Sequence, residues 1–365
     1  MKFECSSEKL KNALIKAERI TAKNPSLPIL DSLLLIASNK VIRIRSTNLS
    51  LGIEIEIPAN IIKEGVVAVR GDIFSNIFSN LPKDEKIKIE LINDNLSINT
   101  TNSSTLIKSY PSDDFPTIPK ITENSFNIES EKIINGIKSV YYSASLSDIK
   151  PEFASIYIHT EVDNIIFTAT DSFRLAEKKI KLKNQINIQG ILIPFKNIIE
   201  IIKLFSDVVG GMKICFNQNQ ISFSIDNIYL TSNLINGLFP DYKQIIPKNF
   251  TTEIIILKKD LLNALKIVNI FSDKFNQISL TASPKNKKLE LYSKNSDFGE
   301  NKTKINAVLE GEDVDLNFNY KYFLDCFQSI NSDSLVLKLN ESNKPMVITG
   351  VPDESFIYLI MPMNR

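Results

Sequence analysis

Basic and amide side chains recur at helical spacing in three separate parts of the sequence. The recurring set comprises Lys9, Asn12 and Lys16, then Lys132 and Asn135, then Lys259, Asn263 and Lys266. Residues three or four positions apart share one face of an α-helix, so each group would present its cations side by side. Such a face binds phosphate groups without reading bases. An ordinary solvated helix surface is the alternative, and the recurrence leaves both interpretations open.

Residue types used in catalysis and metal binding are scarce. His159 is the only histidine, and it lies in the alternating segment 156–160, where a surface position on a strand is expected. Cys5, Cys215 and Cys326 are far apart and odd in number, which favours neither a disulfide framework nor a zinc site. The sequence has no glycine-rich phosphate-binding motif. We therefore expect no enzymatic activity, no cofactor and no metal.

The helices that would carry the cations repeat at the spacing of a whole domain. Asn12, Asn135 and Asn263 hold the same position in three similar helix starts, separated by roughly 125 residues, the length of an ordinary domain. A second apolar helix is expected in each copy, at residues 73–78, 198–202 and 322–327. Proline-rich segments close the first two copies and mark natural boundaries. The predicted domains are 1–121, 122–247 and 248–365.

Strictly alternating segments separate the predicted helices. Residues 42–45, 52–57 and 86–91 alternate apolar and polar side chains, as half-buried antiparallel strands do. Each copy is thus predicted to run strand, helix, several strands, helix, several strands. This order indicates an α+β domain whose helices lie on one side of an antiparallel sheet.

Charge and hydropathy narrow the possible partners. The 365 residues include 43 Lys and Arg against 42 Asp and Glu, and 43% are hydrophobic. This balance is not typical of a protein that holds nucleic acid by bulk charge, so any DNA contact requires cations gathered on one surface. The sequence begins without an apolar signal core and contains no apolar run long enough to span a membrane. We expect a cytoplasmic protein with no membrane partner.

Short motifs along the whole chain resemble those of bacterial sliding clamps, the β subunit of the DNA polymerase III holoenzyme. Residues 1–3 and 27–30 open the sequence as in that family. Residues 169–176, ATDSFRLA, are similar to the family's A-T-D-G-H-R-L-A, and residues 239–242 and 361–363 also match. The resemblance implies three similar clamp domains and a head-to-tail homodimer that forms a six-domain ring around double-stranded DNA. It implies a DNA polymerase processivity factor.

The resemblance also implies an apolar pocket between the second and third domains for short linear peptides. The resemblance implies that such peptides are segments of partner proteins. These partners are the DNA polymerase III α subunit, the clamp loader complex, and proteins such as translesion polymerases, ligase and mismatch repair proteins. The implied walls are Phe153, Thr170, Ser172, Phe173, Arg174, Leu175, Pro240, Ile245, Val347, Met361, Pro362 and Met363. Methionine and aliphatic side chains would make this pocket adaptable to several ligands.

Two further sets of residues follow from the resemblance. The DNA-facing set is Lys9, Lys16, Lys23, Asn24, Lys132, Lys196, Lys203, Lys259 and Lys266. For the dimer, edge strands near residues 105–109 and 297–304 are expected to pair across the interface. Ile107, Ile270 and Phe271 are expected to form an apolar cluster beside that junction.

The sequence departs from the family pattern at the pocket, and two other functions remain open. Ser172 and Phe173 replace the usual Gly-His, Gln244 stands where many relatives have a basic residue, and Asn364 stands where Arg or Lys is usual. One alternative is an enzyme whose site is assembled across domains, which would show buried, perturbed carboxylates in a cleft. The other is a monomeric multi-domain scaffold that binds peptides but not DNA.

Overall fold

A computed structural model describes residues 1–23, 27–81, 86–101, 103–182, 185–340 and 344–363. The chain divides into two compact units. The first comprises residues 1–131 and 199–234, and the second comprises residues 132–198 and 235–365. The middle of the sequence therefore contributes strands to both units.

The helices lie close to their predicted positions. They are α1 (Ser7–Glu18), α2 (Gly71–Asn80), α3 (Ser130–Val140), α4 (Phe195–Phe205), α5 (Lys258–Asn269) and α6 (Tyr320–Phe327). Leu10, Leu14 and Ala17, at helical spacing, form a buried stripe along α1. Among the described residues, no helix combines the length and apolar character that crossing a bilayer requires.

One antiparallel sheet runs through the first unit. Its strands are β1 (Lys2–Ser6), β2 (Ser32–Ser38), β3 (Val41–Thr47), β4 (Leu51–Pro58), β5 (Asn60–Lys63), β6 (Gly65–Arg70), β7 (Lys86–Ile92), β8 (Asn95–Asn99), β9 (Ser104–Tyr110), β10 (Phe126–Glu129), β15 (Gly211–Phe216), β16 (Gln220–Ile225) and β17 (Ile228–Asn233). The order in the sheet is β10-β15-β16-β17-β4-β3-β2-β6-β9-β8-β7-β1-β5. Leu230 of β17 lies opposite Ile53 of β4, which joins strands from distant parts of the chain.

The second unit holds two antiparallel sheets. Its strands are β11 (Ser155–Glu161), β12 (Asn164–Thr170), β13 (Arg174–Lys181), β14 (Ile191–Pro194), β18 (Thr252–Leu257), β19 (Gln277–Ser283), β20 (Lys288–Asn295), β21 (Gly299–Ile305), β22 (Ala307–Gly311), β23 (Val314–Asn319), β24 (Ser334–Leu339), β25 (Met346–Val351) and β26 (Phe356–Ile360). The larger sheet has the order β14-β11-β12-β13-β26-β25-β24-β18-β22, and the smaller has the order β21-β20-β19-β23. These antiparallel sheets with their helices confirm the predicted α+β class.

Small residues mark the same position in the first helix of each sequence repeat. Ala13 of α1 and Ala264 of α5 are buried, and Gly136 of α3 is the equivalent residue. A Cβ atom on Gly136 would lie 2.3 Å from the Phe167 ring, much closer than two carbon atoms can approach. The middle repeat thus uses glycine because a phenylalanine ring occupies the space that the alanine methyl group fills elsewhere.

Candidate functional site

A small apolar cluster in the second unit is built from neighbouring strands. Leu175 of β13 lies opposite Leu359 of β26, and Val347 of β25 lies on the other side of Leu359. These three residues and Tyr242 are at most 5% exposed. Half-buried apolar side chains that surround the cluster are Tyr157, Phe239, Ile246, Phe250 and Ile357. Strand register therefore brings together Leu175 and Val347, two of the expected pocket walls.

The turn before β13 is fixed by a dense set of local hydrogen bonds. Thr170 Oγ1 donates to the Arg174 carbonyl oxygen at 2.7 Å. Asp171 Oδ1 accepts the N–H groups of Phe173 and Arg174, each at 3.0 Å. Ser172 takes a left-handed conformation with φ of 78°. Asp171 thus caps the turn and holds the Phe173 ring, which is 61% exposed, at the surface.

The segment Met361–Met363 is tied to the same unit by backbone hydrogen bonds. The Met361 N–H donates to the Phe173 carbonyl oxygen at 2.8 Å, and the Met363 N–H donates to the Asn317 carbonyl oxygen at 2.7 Å. Met361, Pro362 and Met363 are half-buried. Both methionines therefore keep exposed apolar surface beside the turn.

Residues 239–246 supply the other side of the cluster. The Phe239 ring stacks on the Tyr157 ring, with 4.8 Å between the centroids. The Tyr242 N–H donates to the Pro240 carbonyl oxygen at 2.7 Å, and the Tyr242 hydroxyl donates to Glu177. Burial raises the pKa of Tyr242, and the negative charge of Glu177 raises it further. The adjoining Ile245 is 52% exposed, so an apolar surface borders a rigid aromatic base.

The remaining polar and aromatic residues of the expected pocket have neighbours of their own. Gln244 Nε2 donates to Asp241 Oδ2 at 2.8 Å. Phe153 is half-buried, and the Lys150 ammonium lies 5.2 Å from the centroid of its ring. Arg174 directs its guanidinium toward α6 rather than toward the exposed face of Phe173, through a contact with Asp325.

His159 is buried, and its interpretation as a surface residue on a strand was wrong. Its side chain stacks on Tyr157 at 4.7 Å between ring centroids and meets Tyr242 edge-on. Burial lowers the pKa of His159, whereas Glu161, 3.4 Å from His159 Nε2, acts in the opposite direction. The alternating pattern misled because these tyrosines, instead of solvent, cover the polar face of the strand.

In the first unit, Lys9 and Lys16 border an open cleft of about 420 Å³. Asn12 lies between them on α1, and the end of β4 and the turn at Asp226 line the opposite side. Lys9 and Lys23 are exposed and Lys16 is half-buried. Lys203 is exposed and pairs with Glu200 at 2.7 Å.

The expected DNA-facing residues of the second unit differ in how their charges are balanced. Lys259 and Lys266 are exposed on α5. Lys196 is exposed but pairs with Asp148 at 2.5 Å, and Lys132 is half-buried. Asn24 and Asn364 lie outside the described residues. Counting lysines therefore overstates the free positive charge, because carboxylates already balance some of them.

The two strands at the positions expected for the dimer junction, β9 and β21, have backbone groups available for further pairing. β9 pairs with β8 from Ser104 to Lys108 and meets β6 only at Ser109 and Tyr110, and β21 is an outer strand of the four-stranded sheet. Ile107 is 5% exposed and faces the interior of the first unit, whereas the adjacent Leu106 is 64% exposed. Successive side chains of a strand point to opposite faces, so Leu106 offers the exposed apolar surface on β9, and the part expected of Ile107 at the dimer junction stays a prediction.

The apolar residues expected opposite this strand lie after α5. Ile270 is 65% exposed and Phe271 is half-buried.

Cys5, Cys215 and Cys326 are buried free thiols, and burial raises the pKa of Cys5 to about 12. Across the described ranges, no three His, Cys, Asp or Glu side chains are arranged to hold a metal ion.

Family models match nearly the whole chain in three consecutive parts. The DNA polymerase III β subunit N-terminal domain matches residues 1–119, the central domain matches residues 127–241, and the C-terminal domain matches residues 243–364. The order of the three matches is the order of the three sequence repeats.

Individual relatives agree with these matches over full length. The β sliding clamp of Buchnera aphidicola subsp. Acyrthosiphon pisum is 28% identical over 372 residues, covering 100% of both chains. The crystal structure of the DNA polymerase sliding clamp from Bacillus subtilis superposes with a TM-score of 0.96 at 25% identity, covering 100% of this chain and 99% of that one. A Pseudomonas aeruginosa sliding clamp bound to griselimycin gives a TM-score of 0.94 at 23% identity, with both chains fully covered.

Proposed function

The chain belongs to the family of DNA polymerase III β subunits, the bacterial sliding clamps, and on that premise we propose that two copies close head to tail around duplex DNA. A member of this family is a processivity factor for DNA polymerase and not an enzyme. The cytoplasm, where bacterial replication takes place, is the location that fits this role.

Ring closure is best supported by the edges of β9 and β21, where backbone hydrogen-bonding groups are unpaired in the described part of the chain. β9 and β21 each leave backbone donors and acceptors unpaired on one side among the described residues. Exposed apolar side chains accompany both, Leu106 on β9 and Ile270 after α5. Strands with open edges and apolar flanks pair readily with another chain, and a head-to-tail contact between different surfaces can close into a ring.

We propose that the lysine faces of the helices meet the DNA backbone. Lys9 and Lys16 on α1, and Lys259 and Lys266 on α5, repeat one spacing in two parts of the chain. Lysine acts as a flexible point charge and makes no base-specific pattern of contacts by itself. A ring that contacts phosphates in this way is retained on DNA by its topology and remains free to slide.

We propose that partner proteins insert a short peptide beside the Leu175 cluster. The exposed Phe173 and Ile245 and the half-buried Met361 offer apolar surface above a rigid base. Burying roughly 200–300 Å² of apolar surface at about 25 cal/mol per Å² contributes about 5–8 kcal/mol before the costs of association. Because micromolar binding requires about 8 kcal/mol net, apolar burial alone gives weaker affinity, and polar contacts must add to it. The α subunit of the polymerase, the clamp loader complex, translesion polymerases, ligase and mismatch repair proteins are the proposed sources of such peptides.

Molecular mass in solution tests ring closure. We expect the wild-type chain of 41.2 kDa to sediment at about twice that mass. Replacing Ile270 and Phe271 by aspartate should give a folded monomer, because two charges would have to be buried at the junction. The matched control replaces Leu146 and Ile149, which are 81% and 88% exposed, by aspartate and should remain a dimer.

Two outcomes contradict the proposal in different ways. A dimeric Ile270 and Phe271 variant would mean that the interface lies elsewhere on the chain. A monomeric wild type would instead favour the alternative of a peptide-binding scaffold that does not encircle DNA.

A further inference from the structure

Arg174, an expected pocket-wall residue at the start of β13, extends its side chain to α6. Its side chain is 12% exposed. Nε donates to Asp171 Oδ2 at 2.9 Å, and Nη1 donates to Asp325 Oδ2 on α6. The guanidinium carbon also lies 4.5 Å from the centroid of the Tyr322 ring, in a cation–π contact. One nearly buried cation thus joins the turn before β13 to α6.

The two carboxylates have unequal freedom. Asp171 is 16% exposed, and its other oxygen is held by two backbone N–H groups of the turn. Asp325 is 39% exposed and lies on the short helix α6. Burial by itself lowers the pKa of Arg174, but Tyr358, Asp171 and Asp325 together raise it. The guanidinium therefore stays charged, and a change at Asp325 alters its position more readily than a change in the turn does.

A displacement of Arg174 would be transmitted to the peptide-binding surface. The Arg174 carbonyl oxygen accepts the Thr170 hydroxyl, and its N–H is bound by Asp171. Phe173, immediately before it, accepts the Met361 N–H and exposes its ring. Leu175, immediately after it, belongs to the buried cluster. Both neighbours of Arg174 are thus parts of the proposed pocket.

We propose that Asp325 is a positioning residue of the peptide pocket, which acts through Arg174 and fixes the orientation of Phe173 and Leu175. The inference rests on the proposed peptide-binding function. In this proposal Asp325 acts on the peptide only through Arg174. Through this contact α6 contributes to peptide affinity. This helix has the same position in its repeat as α4, whose Lys196 and Lys203 are expected to face DNA.

A double-mutant cycle tests the inference. The probe is a fluorescently labelled synthetic pentapeptide that contains glutamine and ends in Leu-Phe, titrated with wild type, Asp325→Asn, Arg174→Gln and the double variant. We expect Asp325→Asn to weaken binding about tenfold, the size of one charge-assisted hydrogen bond. The double variant should bind no more weakly than Arg174→Gln alone, because Asp325 has no effect once its partner is absent.

Two controls separate positioning from general destabilisation. Asp325→Glu keeps the carboxylate and should bind within about threefold of wild type, the rescue expected for a charge-dependent contact. Asp260→Asn removes a carboxylate of the same type from α5 and should bind like wild type. Thermal unfolding of each variant shows whether the fold is retained, and an unfolded Asp325→Asn is replaced in the cycle by Asp325→Ser.

Each remaining outcome is decisive. Wild-type affinity in Asp325→Asn, or losses that add in the double variant, would overturn the positioning role while leaving the peptide pocket in place. A wild-type chain that does not bind the peptide at all would overturn the pocket itself and this inference with it.

Discussion

The turn at residues 170–174 and the lysine-bearing face of α1 are built on opposite principles. The turn uses Thr170 and Asp171 to hold its own backbone. Its surface residue Phe173 is followed by Arg174, which is fixed in ion pairs, and then by Leu175 of the buried cluster. Lys9 and Lys16 lie on a regular helix beside an open cleft, with flexible side chains. The first arrangement suits selection of one ligand shape, and the second suits contact with any phosphate.

This difference predicts how each region responds to change. A pre-organised apolar site loses affinity when one side chain is altered, because its shape is distributed over interlocked neighbours. A row of solvated cations loses affinity gradually, because each phosphate contact is similar and nearly independent. Substitutions in the two regions should therefore differ in size and in salt dependence.

The largest expected difference is in stability. Leu175→Ala should lower the free energy of unfolding by about 2–5 kcal/mol, because the side chain is 1% exposed and its removal leaves a cavity. Lys9→Ala should change it by less than about 0.5 kcal/mol. The shift of the urea midpoint measures both. Equal shifts would mean that the Leu175 cluster is loosely packed.

The next difference is in peptide affinity. Met361→Ala should weaken all pocket peptides about tenfold, because removing a half-buried methionine side chain forfeits part of the roughly 1.5–3 kcal/mol that its full burial contributes. Phe173→His should instead change the preference among peptides, because it exchanges an apolar wall for a polar one. Calorimetry with the same peptides and with Lys9→Ala as a control checks this. Undiminished binding by Met361→Ala would place the peptide elsewhere.

A smaller, graded effect is expected on duplex DNA. Lys259→Gln together with Lys266→Gln should reduce the salt slope of DNA binding by roughly one for each lost contact. Lys196→Gln together with Lys203→Gln should reduce it less, because Asp148 and Glu200 already balance those charges. Fluorescence anisotropy over a salt series gives the slopes, and peptide binding serves as the control. Equal slopes for the two pairs would show that the ion pairs open on DNA.

The smallest expected effect is a pH dependence of stability that arises from His159. Burial lowers the pKa of His159 below its ordinary value of 6.5, so the folded state favours the neutral ring. The stabilisation is complete above about pH 6.5 and is lost as the pH falls toward the lowered pKa of the folded protein. His159→Phe, which keeps an aromatic ring but cannot titrate, should remove this contribution. Thermal midpoints between pH 7.5 and 5.5 should fall more steeply for wild type than for the variant.

Individual helices and strands were predictable because their apolar side chains recur at a regular spacing in the sequence. Leu10, Leu14 and Ala17 recur at helical spacing, and they form the buried face of α1. The alternation at residues 52–57 likewise indicated a strand, which is β4. The repeats and the motif around Arg174 also pointed to the family. The exact domain boundaries and the residue-level interfaces stay predictions.

The side-chain environments depended on contacts that the sequence does not show. Alternation indicated a strand at His159 but not that Tyr157 and Tyr242 would cover it. Ile107 lies opposite Leu96 of β8, and both side chains are buried on the same face of the sheet. The family motif around Arg174 was visible in the sequence, but its ion-pair partner Asp325 lies 151 residues further along the chain. Periodicity records which side chains share a face of one element, whereas the packing of distant elements decides what that face meets.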